Sequence, residues 1–556
     1  MTDISVTSPS AASARVPTDD ETARLGGPRS WYVLILLTII ASVSLLDRQI
    51  ITILAVDIKR DLGLNDSEIG LVYGTFFAIF YALFSIPLGR LADGWLRTRQ
   101  IGIALSGWSL ATIGCAFAGG FASMSAWRVG VAIGEAGAGP AAYSLVADLF
   151  PKAKRATVFA IYGSSSAIGV GLSIALGGIV VDAWNASFPG GVGWFGLVGW
   201  QAAFIIAALP GFVLALLIFL VREPLRGIAD GLIQPGAERP FARAGAEFMP
   251  LVPPLSFLNL SRIGAGSAAW RNNVVALLVA VAFTAGMTSA FHAMIPAEKL
   301  KIYGHLLGIP VSSHLIQWAI FGFGGYAAFS WIQSQRYRDP AAAKVMWSSP
   351  SFIAMIVISS FNLLLNYGYS AWMGPYAVMT FHAPMAEVGI KLGLTAAVAG
   401  GAGTILGGVL GDWARKRTPI GRLLVLLVTT TVPLPMAFIT LSQTTLDSYL
   451  AWLLASSIIL TGWFPCCTAT LHDLVLPRMR GTATAIMYLG ITIVGMGTGP
   501  YLVGTISDVT GSLARAILTG YGFSVVVWIA IFVAMKNLKK DEASLVERAR
   551  AAGEDI

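Results

Sequence analysis

Long apolar stretches alternate with short polar loops along most of the chain, a pattern typical of a protein that crosses a bilayer many times. Each stretch has about 20 residues or more, enough for an α-helix to span a hydrocarbon core of about 30 Å. The pattern predicts an all-α membrane protein with spanning helices in groups of six, two and six, fourteen in total. The predicted segments are residues 31–55, 69–89, 100–121, 124–148, 156–181, 200–221, 273–293, 312–333, 352–379, 388–411, 420–441, 448–473, 483–506 and 517–535.

Polar regions divide these helices into units. The first thirty residues lack a short apolar core with a cleavage site, so we expect a disordered tail rather than a signal peptide. A proline-rich stretch after the sixth segment predicts a linker, in which residues 248–260 form an amphipathic patch against the membrane. The expected units are a cytoplasmic tail at 1–30, an N-terminal six-helix bundle at 31–221, a cytoplasmic linker at 222–271, two extra transmembrane helices at 272–335, a C-terminal six-helix bundle at 350–536 and a cytoplasmic tail at 537–556.

The charged residues set the orientation of the helices. Only 12% of the 556 residues are charged, about half the share of a typical soluble domain. The formal net charge of +8 could indicate a nucleic-acid partner, but the Lys and Arg residues fall mainly in alternate loops. That distribution is the positive-inside pattern of a membrane protein. We therefore expect no nucleic-acid partner, both termini in the cytoplasm, and a multi-pass protein in the lipid bilayer of the inner (plasma) membrane.

The sequence lacks the motifs of other protein classes. Cys115, Cys466 and Cys467 fit neither a disulfide framework nor a zinc site. No Walker loop is present, which argues against transport driven by ATP, and no His-Glu-x-x-His or nucleophile-elbow motif occurs. We predict no enzyme activity, no cofactor and no metal site.

Matching motifs occur in the two halves of the chain. Residues 89–97 read G-R-L-A-D-G-W-L-R and residues 408–416 read G-V-L-G-D-W-A-R-K, with Gly, Leu and Asp at the same spacing. A second pattern repeats at one constant offset, Tyr162…Gly169-x-Gly171…Gly178…Asp182 against Tyr488…Gly495-x-Gly497…Gly504…Asp508. Repeated helix bundles with a solute site near the midplane between them are a common transporter architecture.

These residues resemble a known family. The two loop motifs and the repeat spacing are similar to those of the major facilitator superfamily. Within this superfamily, three stretches resemble the Spinster-type branch. They are Asp47-Arg48-Gln49, Arg128…Gly134-Glu135-Ala136, and Asp148-Leu149-Phe150-Pro151 with Arg155 after it. The resemblance covers roughly residues 31–221 and 351–536. It implies two six-helix bundles that move a solute by alternating access, and the two extra helices depart from this pattern.

The repeated loops predict a cytoplasmic gate. Asp93 ends a helix where its carboxylate can meet a helix N-terminus of the other half, and Arg97 can pair with Asp148. Such contacts would hold the halves together on the cytoplasmic side in the outward-open state. The alternative is that these residues are solvated loop charges. The predicted gate residues are Gly89, Asp93, Arg97 and Asp148, with Gly408, Asp412, Lys416 and Asp473 as the mirror set.

Four charged residues lie inside apolar segments and form the candidate working centre. Asp47 and Arg48 are in the first segment, and Arg128 and Glu135 share one face of the fourth. Buried charges of this kind usually mark a solute or proton pathway. We expect Glu135 or Asp47 to carry a coupled proton and Arg48 to bind an anionic group of the solute. The alternative is a permanent charge lock that only holds the helices together.

Further polar residues are candidates for the wall of a solute cavity. We predict that Arg128 assists Arg48 in binding the solute, since an arginine suits any carboxylate. We also predict a substrate-binding role for Tyr162, Tyr488, Asn362 and Asn366. Each of these four could instead make an ordinary contact between helices.

These features predict a secondary active transporter that works by alternating access and is coupled to protons. The Spinster resemblance implies an amphiphilic, lysolipid-like anion as the solute and favours export. A proton-coupled importer of a small organic or aromatic acid is the main alternative. A non-transporting membrane receptor or scaffold is the alternative from another class. The sequence leaves the oligomeric state and the role of the two extra helices open.

Overall fold

The computed structural model describes residues 16–231, 233 and 236–554. Half of the expected N-terminal tail, residues 1–15, lies outside these described residues, as do positions 232, 234, 235, 555 and 556. The rest of that stretch holds a short helix, α1 (Asp19–Thr22), and the Gly26 N–H donates to the Leu149 carbonyl at 2.9 Å.

The first bundle has its helices where the apolar segments predict them. Helix α2 (Pro28–Leu62) begins with a proline, whose missing N–H costs no hydrogen bond at that position. It ends before Gly63, which takes the left-handed conformation with φ of 62°. A π-helical turn at Leu71–Thr75 joins α3 to α4. The other helices are α3 (Asp66–Gly70), α4 (Phe76–Gly94), α5 (Arg97–Ala116), α6 (Phe121–Ala136), α7 (Ala138–Leu149), α8 (Arg155–Gly163), α9 (Ser165–Ser187) and α10 (Gly199–Phe219).

The linker and the two extra helices come next. The linker contains α11 (Pro240–Phe248) and α12 (Leu255–Arg262), and the extra helices are α13 (Ser267–Met294) and α14 (Ser313–Arg338). Between α13 and α14 lies an antiparallel hairpin of β1 (Ile302–Leu306) and β2 (Ile309–Ser312), which the sequence analysis did not predict. Its turn residues Leu307 and Gly308 both have positive φ, as a two-residue type I′ turn requires. Helix α15 (Pro340–Trp347) then leads into the second bundle.

The second bundle repeats the design of the first. Its helices are α16 (Pro350–Phe381), α17 (Met385–Arg417), α18 (Gly421–Thr431), α19 (Pro433–Leu441), α20 (Leu446–Thr461), α21 (Trp463–Asp473), α22 (Arg480–Gly490), α23 (Gly497–Thr510), α24 (Leu513–Gly520), α25 (Ser524–Ala543) and α26 (Leu545–Ala551). A π-helical turn at Ile491–Met496 joins α22 to α23. Short 3₁₀ turns occupy Lys152–Lys154, Trp194–Gly196, Ile228–Asp230, Met249–Leu251, Ala297–Lys299, Pro477–Met479 and Tyr521–Phe523.

The fourth predicted segment breaks in the same way as its repeat. Helices α6 and α7 meet at Gly137, and α20 and α21 meet at Gly462. In each case a proline follows three residues later, Pro140 or Pro465, and its missing N–H removes a hydrogen bond from the helix. The repeated break supports the repeat read from the sequence.

The described residues confirm an all-α membrane fold, apart from the small hairpin. Twelve of their helical stretches are long and apolar enough to cross a membrane, including both extra helices α13 and α14. The predicted segments 100–121 and 124–148 are also helical, as α5 and as α6 with α7, but they are not among the twelve. The count of fourteen spans and the side on which the termini lie therefore remain predictions.

Glycines allow the two bundles to touch at one end of the molecule. Helix α9 crosses α17 so closely that a Cβ added to Gly393 would lie 2.3 Å from the Gly171 carbonyl oxygen. A Cβ on Gly178 would lie 2.3 Å from the carbonyl oxygen of Met385. Backbones this close require glycine, as in other tightly packed membrane helices.

Carboxylates at helix ends reinforce this contact. Asp182, near the end of α9, accepts the Ala386 N–H at the start of α17 at 2.7 Å. Asp508, near the end of α23, accepts the N–H groups of Asp66 and Ser67 at the start of α3, at 2.9 and 2.8 Å. Each carboxylate satisfies N–H groups that a helix start leaves free. We call this end, where α9 meets α17 and α23 meets α3, the closed end.

At the opposite end, none of the loop carboxylates in the described part of the chain makes such a contact with the other bundle. The side chains of Asp93 and Asp412 are 66% and 68% exposed there. The hydrogen bonds that join the two bundles within the described residues lie in the closed half of the molecule. The positive-inside pattern predicts that the closed end faces away from the cytoplasm.

Replacing Gly393 by alanine should weaken the closed end, because the new Cβ would collide with the Gly171 carbonyl. We expect a loss of about 1–3 kcal/mol of packing energy and a lower melting temperature in detergent. Gly400→Ala is the matched control, since a Cβ on that residue of the same helix would meet open space. Equal melting temperatures for the two variants would contradict the close contact.

Candidate functional site

A buried ion pair links α2 to α6. The Arg48 guanidinium donates to the Glu135 carboxylate with an Nη2–Oε2 distance of 2.7 Å. Ser44, four residues before Arg48 and so on the same helix face, donates to the same oxygen at 2.7 Å. Arg48 is 9% exposed and Glu135 is 2% exposed. Removing either charge would leave the other uncompensated in the interior, which costs several kcal/mol.

Two aromatic rings complete the surroundings of Arg48. Its guanidinium carbon lies 4.4 Å from the ring centre of Phe77 and 5.0 Å from that of Tyr81. The faces of such rings attract a cation. Arg48 therefore keeps favourable contacts on α4 even when its hydrogen bond to Glu135 is exchanged for one to another anion.

Arg128 contacts the backbone of α2. Its Nη1 and Nη2 atoms donate to the carbonyl oxygens of Asp47 and Arg48 at 3.2 and 3.1 Å. The side chain is fully buried and is not part of the cavity wall described below. In this conformation Arg128 ties α6 to α2, and its predicted role in binding the solute stays a prediction.

Asp47 is fully buried, and neither of its carboxylate oxygens has a hydrogen-bond partner. The Trp108 indole N–H and the Thr112 hydroxyl of α5 are neighbouring groups, and they too are without a hydrogen bond. Asp47 thus faces α5 and is not part of the cavity wall that Arg48 helps to form. An unpaired carboxylate at this depth is costly unless it is protonated or finds a partner.

A cavity of about 190 Å³ lies beside the ion pair within the first bundle. Its polar wall includes Ser44, Arg48 and Glu135, and also Ser165 and Ser166 of α9. Its remaining wall includes the aromatic side chains Tyr81, Trp108, Tyr143 and Tyr162 and the apolar side chains Leu37, Ile40, Ala41 and Ala142. Because a helix rises 1.5 Å per residue, Leu37 and Arg48 lie about 16 Å apart along α2. The cavity therefore has a charged part and an apolar part.

The candidates from the second bundle are not part of this cavity wall. Tyr488 is 49% exposed and is not part of the cavity wall, but it is close enough to the wall residues Tyr81 and Tyr143 to interact with them electrostatically. Asn362 is fully buried, donates to the Ile358 carbonyl at 3.0 Å and accepts from the Thr430 hydroxyl at 3.0 Å. The bond to Thr430 is an interhelical contact of the kind named as its alternative, and the bond to Ile358 lies within α16. Asn366 lies one turn further along α16 and is partly buried.

The first predicted gate forms a dense cluster at the open end. Arg97 is fully buried, with its guanidinium 2.5 Å from Asp148 and 2.7 Å from Glu223. The Asp93 carboxylate lies 3.4 Å from Arg90 and does not contact a helix of the other bundle. Asp93 therefore does not make, in this conformation, the contact expected of it in the outward-open state.

The mirror gate uses a different basic residue from the one predicted. Arg422, near the start of α18, lies 2.9 Å from Asp412 and 2.6 Å from Asp473. Lys416, the residue expected from the loop motif, is exposed on the last turn of α17. The reason is that α17 continues to Arg417, whereas α4 ends at Gly94, so equal spacing along the chain does not give equal positions.

The two predicted gate glycines occupy equivalent places. A Cβ on Gly89 would lie 3.8 Å from the ring of Pro140, and a Cβ on Gly408 would lie 3.7 Å from that of Pro465. Both are ordinary contact distances. The glycines therefore mark the crossing of two helices in each bundle, and the space alone does not require glycine at either position.

Several residues of the site were missed from the sequence. Glu223 belongs to the linker, and nothing in its surroundings indicated that it reaches Arg97. Arg422 could have been found by aligning the two repeats at the starts of their helices instead of at the loop motif. Arg97 is the first residue of α5, and Arg422 is the second residue of α18. Ser44 lies one helical turn from Arg48, a spacing that could have identified it.

Nearby linker charges are also paired. Arg155 lies 2.9 Å from Asp230, and Lys152 lies 3.3 Å from the same oxygen. Because Arg155 and then Lys152 hydrogen-bond to it, the pKa of the Asp230 carboxyl lies below its usual range. The linker thus binds the first bundle through ionised side chains.

Comparison with known proteins gives relatives that include one matching nearly the whole chain. The chain is 25% identical over 503 residues to an MFS-type efflux pump of Mycolicibacterium smegmatis, an alignment that covers 90% of this chain and 89% of that protein. It is 25% identical over 205 residues to the Protein spinster of Drosophila melanogaster, which covers 37% of this chain and 32% of that protein. The second match confirms the resemblance to the Spinster-type branch.

A solved structure gives the fold independently. The crystal structure of a bacterial homolog to human lysosomal transporter, Spinster, in an inward-facing and occupied conformation, superposes with a TM-score of 0.66 at 21% identity. The superposition covers 93% of this chain and 99% of that one. A sequence profile described as the Major Facilitator Superfamily matches residues 37–339, more than half of the chain. The matched proteins are transporters and not enzymes, and the chain belongs to the major facilitator superfamily of secondary transporters.

Proposed function

We propose that this protein moves an organic anion across the inner membrane by alternating access, coupled to protons. The observation that carries the proposal is the Arg48–Glu135 pair, which is buried and at the same time forms part of the cavity wall. An entering anion and the Glu135 carboxylate would compete for one guanidinium. Competition of this kind can couple a proton to a solute.

The coupling follows from charge balance. While Glu135 is ionised, it occupies Arg48, and a second anion at that site would add an uncompensated negative charge in the interior. Protonation of Glu135 removes the competing charge and frees Arg48 to bind the solute. Proton and anion would therefore bind together and leave together.

Asp47 is the second candidate for the proton. Its buried oxygens lack partners, and an unpaired carboxylate is favoured in its protonated form at such depth. It does not line the cavity in this conformation. We therefore assign the coupled proton to Glu135, and Asp47 is the second candidate.

The two sets of helix-end carboxylates fit alternating access. Asp182 and Asp508 bind helix starts of the opposite bundle at the closed end. Asp93 and Asp412 are free of the opposite bundle at the other end. We propose that these sets exchange roles when the bundles rock, so that Asp93 and Asp412 close the cytoplasmic side while the other end opens.

The cavity supports an amphiphilic anion as the solute. Its charged part at Arg48 suits an anionic head group, and the apolar residues Leu37, Ile40 and Ala41 continue along α2 toward the open end. A lysolipid-like molecule would place its head at Arg48 and its chain along this surface. This proposal goes beyond what the names of the relatives state.

A small organic acid is the second candidate. The cavity volume of about 190 Å³ is below the roughly 300–1,000 Å³ common for ligand pockets, which favours a compact solute. Direction also differs between the two proposals: binding of proton and anion together drives import of a small acid under an inward proton gradient, whereas export of the amphiphile would have to follow the gradient of the solute itself. A receptor or scaffold without transport is the remaining alternative.

Glu135→Gln should remove proton coupling while strengthening anion binding, because the amide no longer competes as a charge for Arg48. We expect binding about ten-fold tighter at neutral pH and little pH dependence, measured by titrating the purified protein with an organic anion. In vesicles, the variant should exchange labelled solute but not accumulate it under a pH gradient. Asp47→Asn should retain accumulation.

Asp447→Asn is the control for that pair, since it makes the same change on a side chain that is 80% exposed. Loss of coupling in Asp47→Asn with coupling retained in Glu135→Gln would move the proton to Asp47. If the wild-type protein showed no solute flux and no proton flux with any tested anion, that result would support the receptor alternative.

Affinity within a series of straight-chain carboxylates should separate the two solute classes. If the apolar wall holds a chain, each added methylene should increase affinity about four-fold, equivalent to about 0.8 kcal/mol of burial. If the solute is a compact acid, affinity should peak at a short chain and then fall. Alcohols of the same lengths are the control, since they lack the anion that Arg48 would bind.

A further inference from the structure

The two extra helices contact both bundles at once. Helix α14 packs against α4 of the first bundle and against the π-helical turn Ile491–Met496 of the second. Helix α13 lies mostly on the outside of the protein, since only 6% of its most apolar stretch is buried. For α14 the buried share of that stretch is 44%. The pair therefore covers the line along which the two bundles meet, with α14 as the inner helix.

The loop between the extra helices is bound to the first bundle at the closed end. Lys301 lies 2.8 Å from the Glu68 carboxylate and donates to the Gly63 carbonyl, which ends α2, at 2.5 Å. The Tyr303 hydroxyl donates to the same Glu68 carboxylate. Glu68 is 1% exposed, so this side of the attachment is anchored on a buried charge.

The same loop is bound to the second bundle. Lys299 donates to the carbonyl oxygens of Asp508 and Val509 at the end of α23, at 2.7 and 3.4 Å. Farther along, the His314 ring nitrogen Nδ1 and the Tyr501 hydroxyl are 2.6 Å apart. These two contacts join α14 and its preceding loop to α23.

One contact joins all three parts. The Thr75 hydroxyl of the first bundle is within hydrogen-bond distance of Gln317 on α14 and of the Gly497 carbonyl in the second bundle. All three groups are in the closed half of the molecule. The attachments at Glu68, Asp508, Tyr501 and Thr75 therefore lie across the place where the bundles would have to separate.

We propose that the two extra helices and their β-hairpin form a clasp that holds the closed end shut and biases the transporter toward this conformation. The clasp residues are Lys299, Lys301, Tyr303, His314 and Gln317. When α3 and α23 move apart, the clasp cannot keep its bonds to both bundles. Opening that end requires one set of bonds to break.

The bonds to the second bundle are the ones that release. Lys299 is exposed and holds only backbone carbonyls, so water can replace its hydrogen bonds at little cost. Lys301 and Tyr303 share the buried Glu68, which would keep only the Asn65 N–H, and no cation, if they moved away. The clasp therefore stays on the first bundle and detaches from α23.

Spin labels at opposite sides of the closed end can measure this release. We would attach them to cysteines introduced at Ala186 in the first bundle and Thr444 in the second, both exposed, and record distance distributions by pulsed electron resonance. Lys299→Ala should raise the ratio of long to short distances about ten-fold. Tyr501→Phe, which keeps the ring but loses the hydroxyl, should act in the same direction, and the double variant should exceed either alone.

Lys391→Ala is the matched control, because that lysine is also near the closed end but pairs with Glu387 and Asp447 inside the second bundle. An unchanged distribution in Lys299→Ala and Tyr501→Phe would overturn the clasp, as would an equal change in the control. The distances are read without solute or pH gradient. Failure of the clasp is therefore distinguishable from failure of the proposed anion transport.

Discussion

A charge inside a bilayer must keep a partner at every moment, and the rest of the structure depends on this constraint at Arg48. An unpaired charge at that depth costs several kcal/mol. Glu135 and Ser44 on one side and the rings of Phe77 and Tyr81 on the other keep the cost low. Under this constraint a partner can be exchanged but not simply lost, which is the physical basis for linking the movement of one ion to that of another.

Exchange of partners also governs the helix ends, where carboxylates join one bundle to the other. Carboxylates at helix starts are worth about 0.3–1 kcal/mol each, rising to about 2 when partly buried. Asp182 and Asp508 make such contacts at one end, while Asp93 and Asp412 at the other end pair with arginines of their own bundle. Because each set is modest, neither conformation is locked, and a few hydrogen bonds from an accessory element suffice to shift the balance.

Much of the fold could be predicted from the sequence, because the thickness of the bilayer constrains the helix lengths and its two sides constrain the charges of the loops. The pairing of Arg97 with Asp148 also matched a contact in the structure, since both lie at helix ends where few orientations are available. Lys416 does not occupy the position that corresponds to Arg97, because the loop motif does not show that α17 continues to Arg417. Asn362 donates to a carbonyl of its own helix, and Arg128 donates to backbone carbonyls of α2. The rotation of each side chain depends on packing that cannot be read from a single sequence.

That rotation also separates the two candidate proton carriers. Neighbouring residues on a helix point about 100° apart, so Asp47 faces α5 while Arg48 faces the cavity. Arg128 holds the carbonyl oxygens of both residues and thereby fixes the rotation of α2. Any turn of α2 that brings Asp47 toward the cavity must break these bonds and move Arg48 away from Glu135. The two carboxylates therefore cannot serve one cavity at the same time, and a role for both requires that they act in succession.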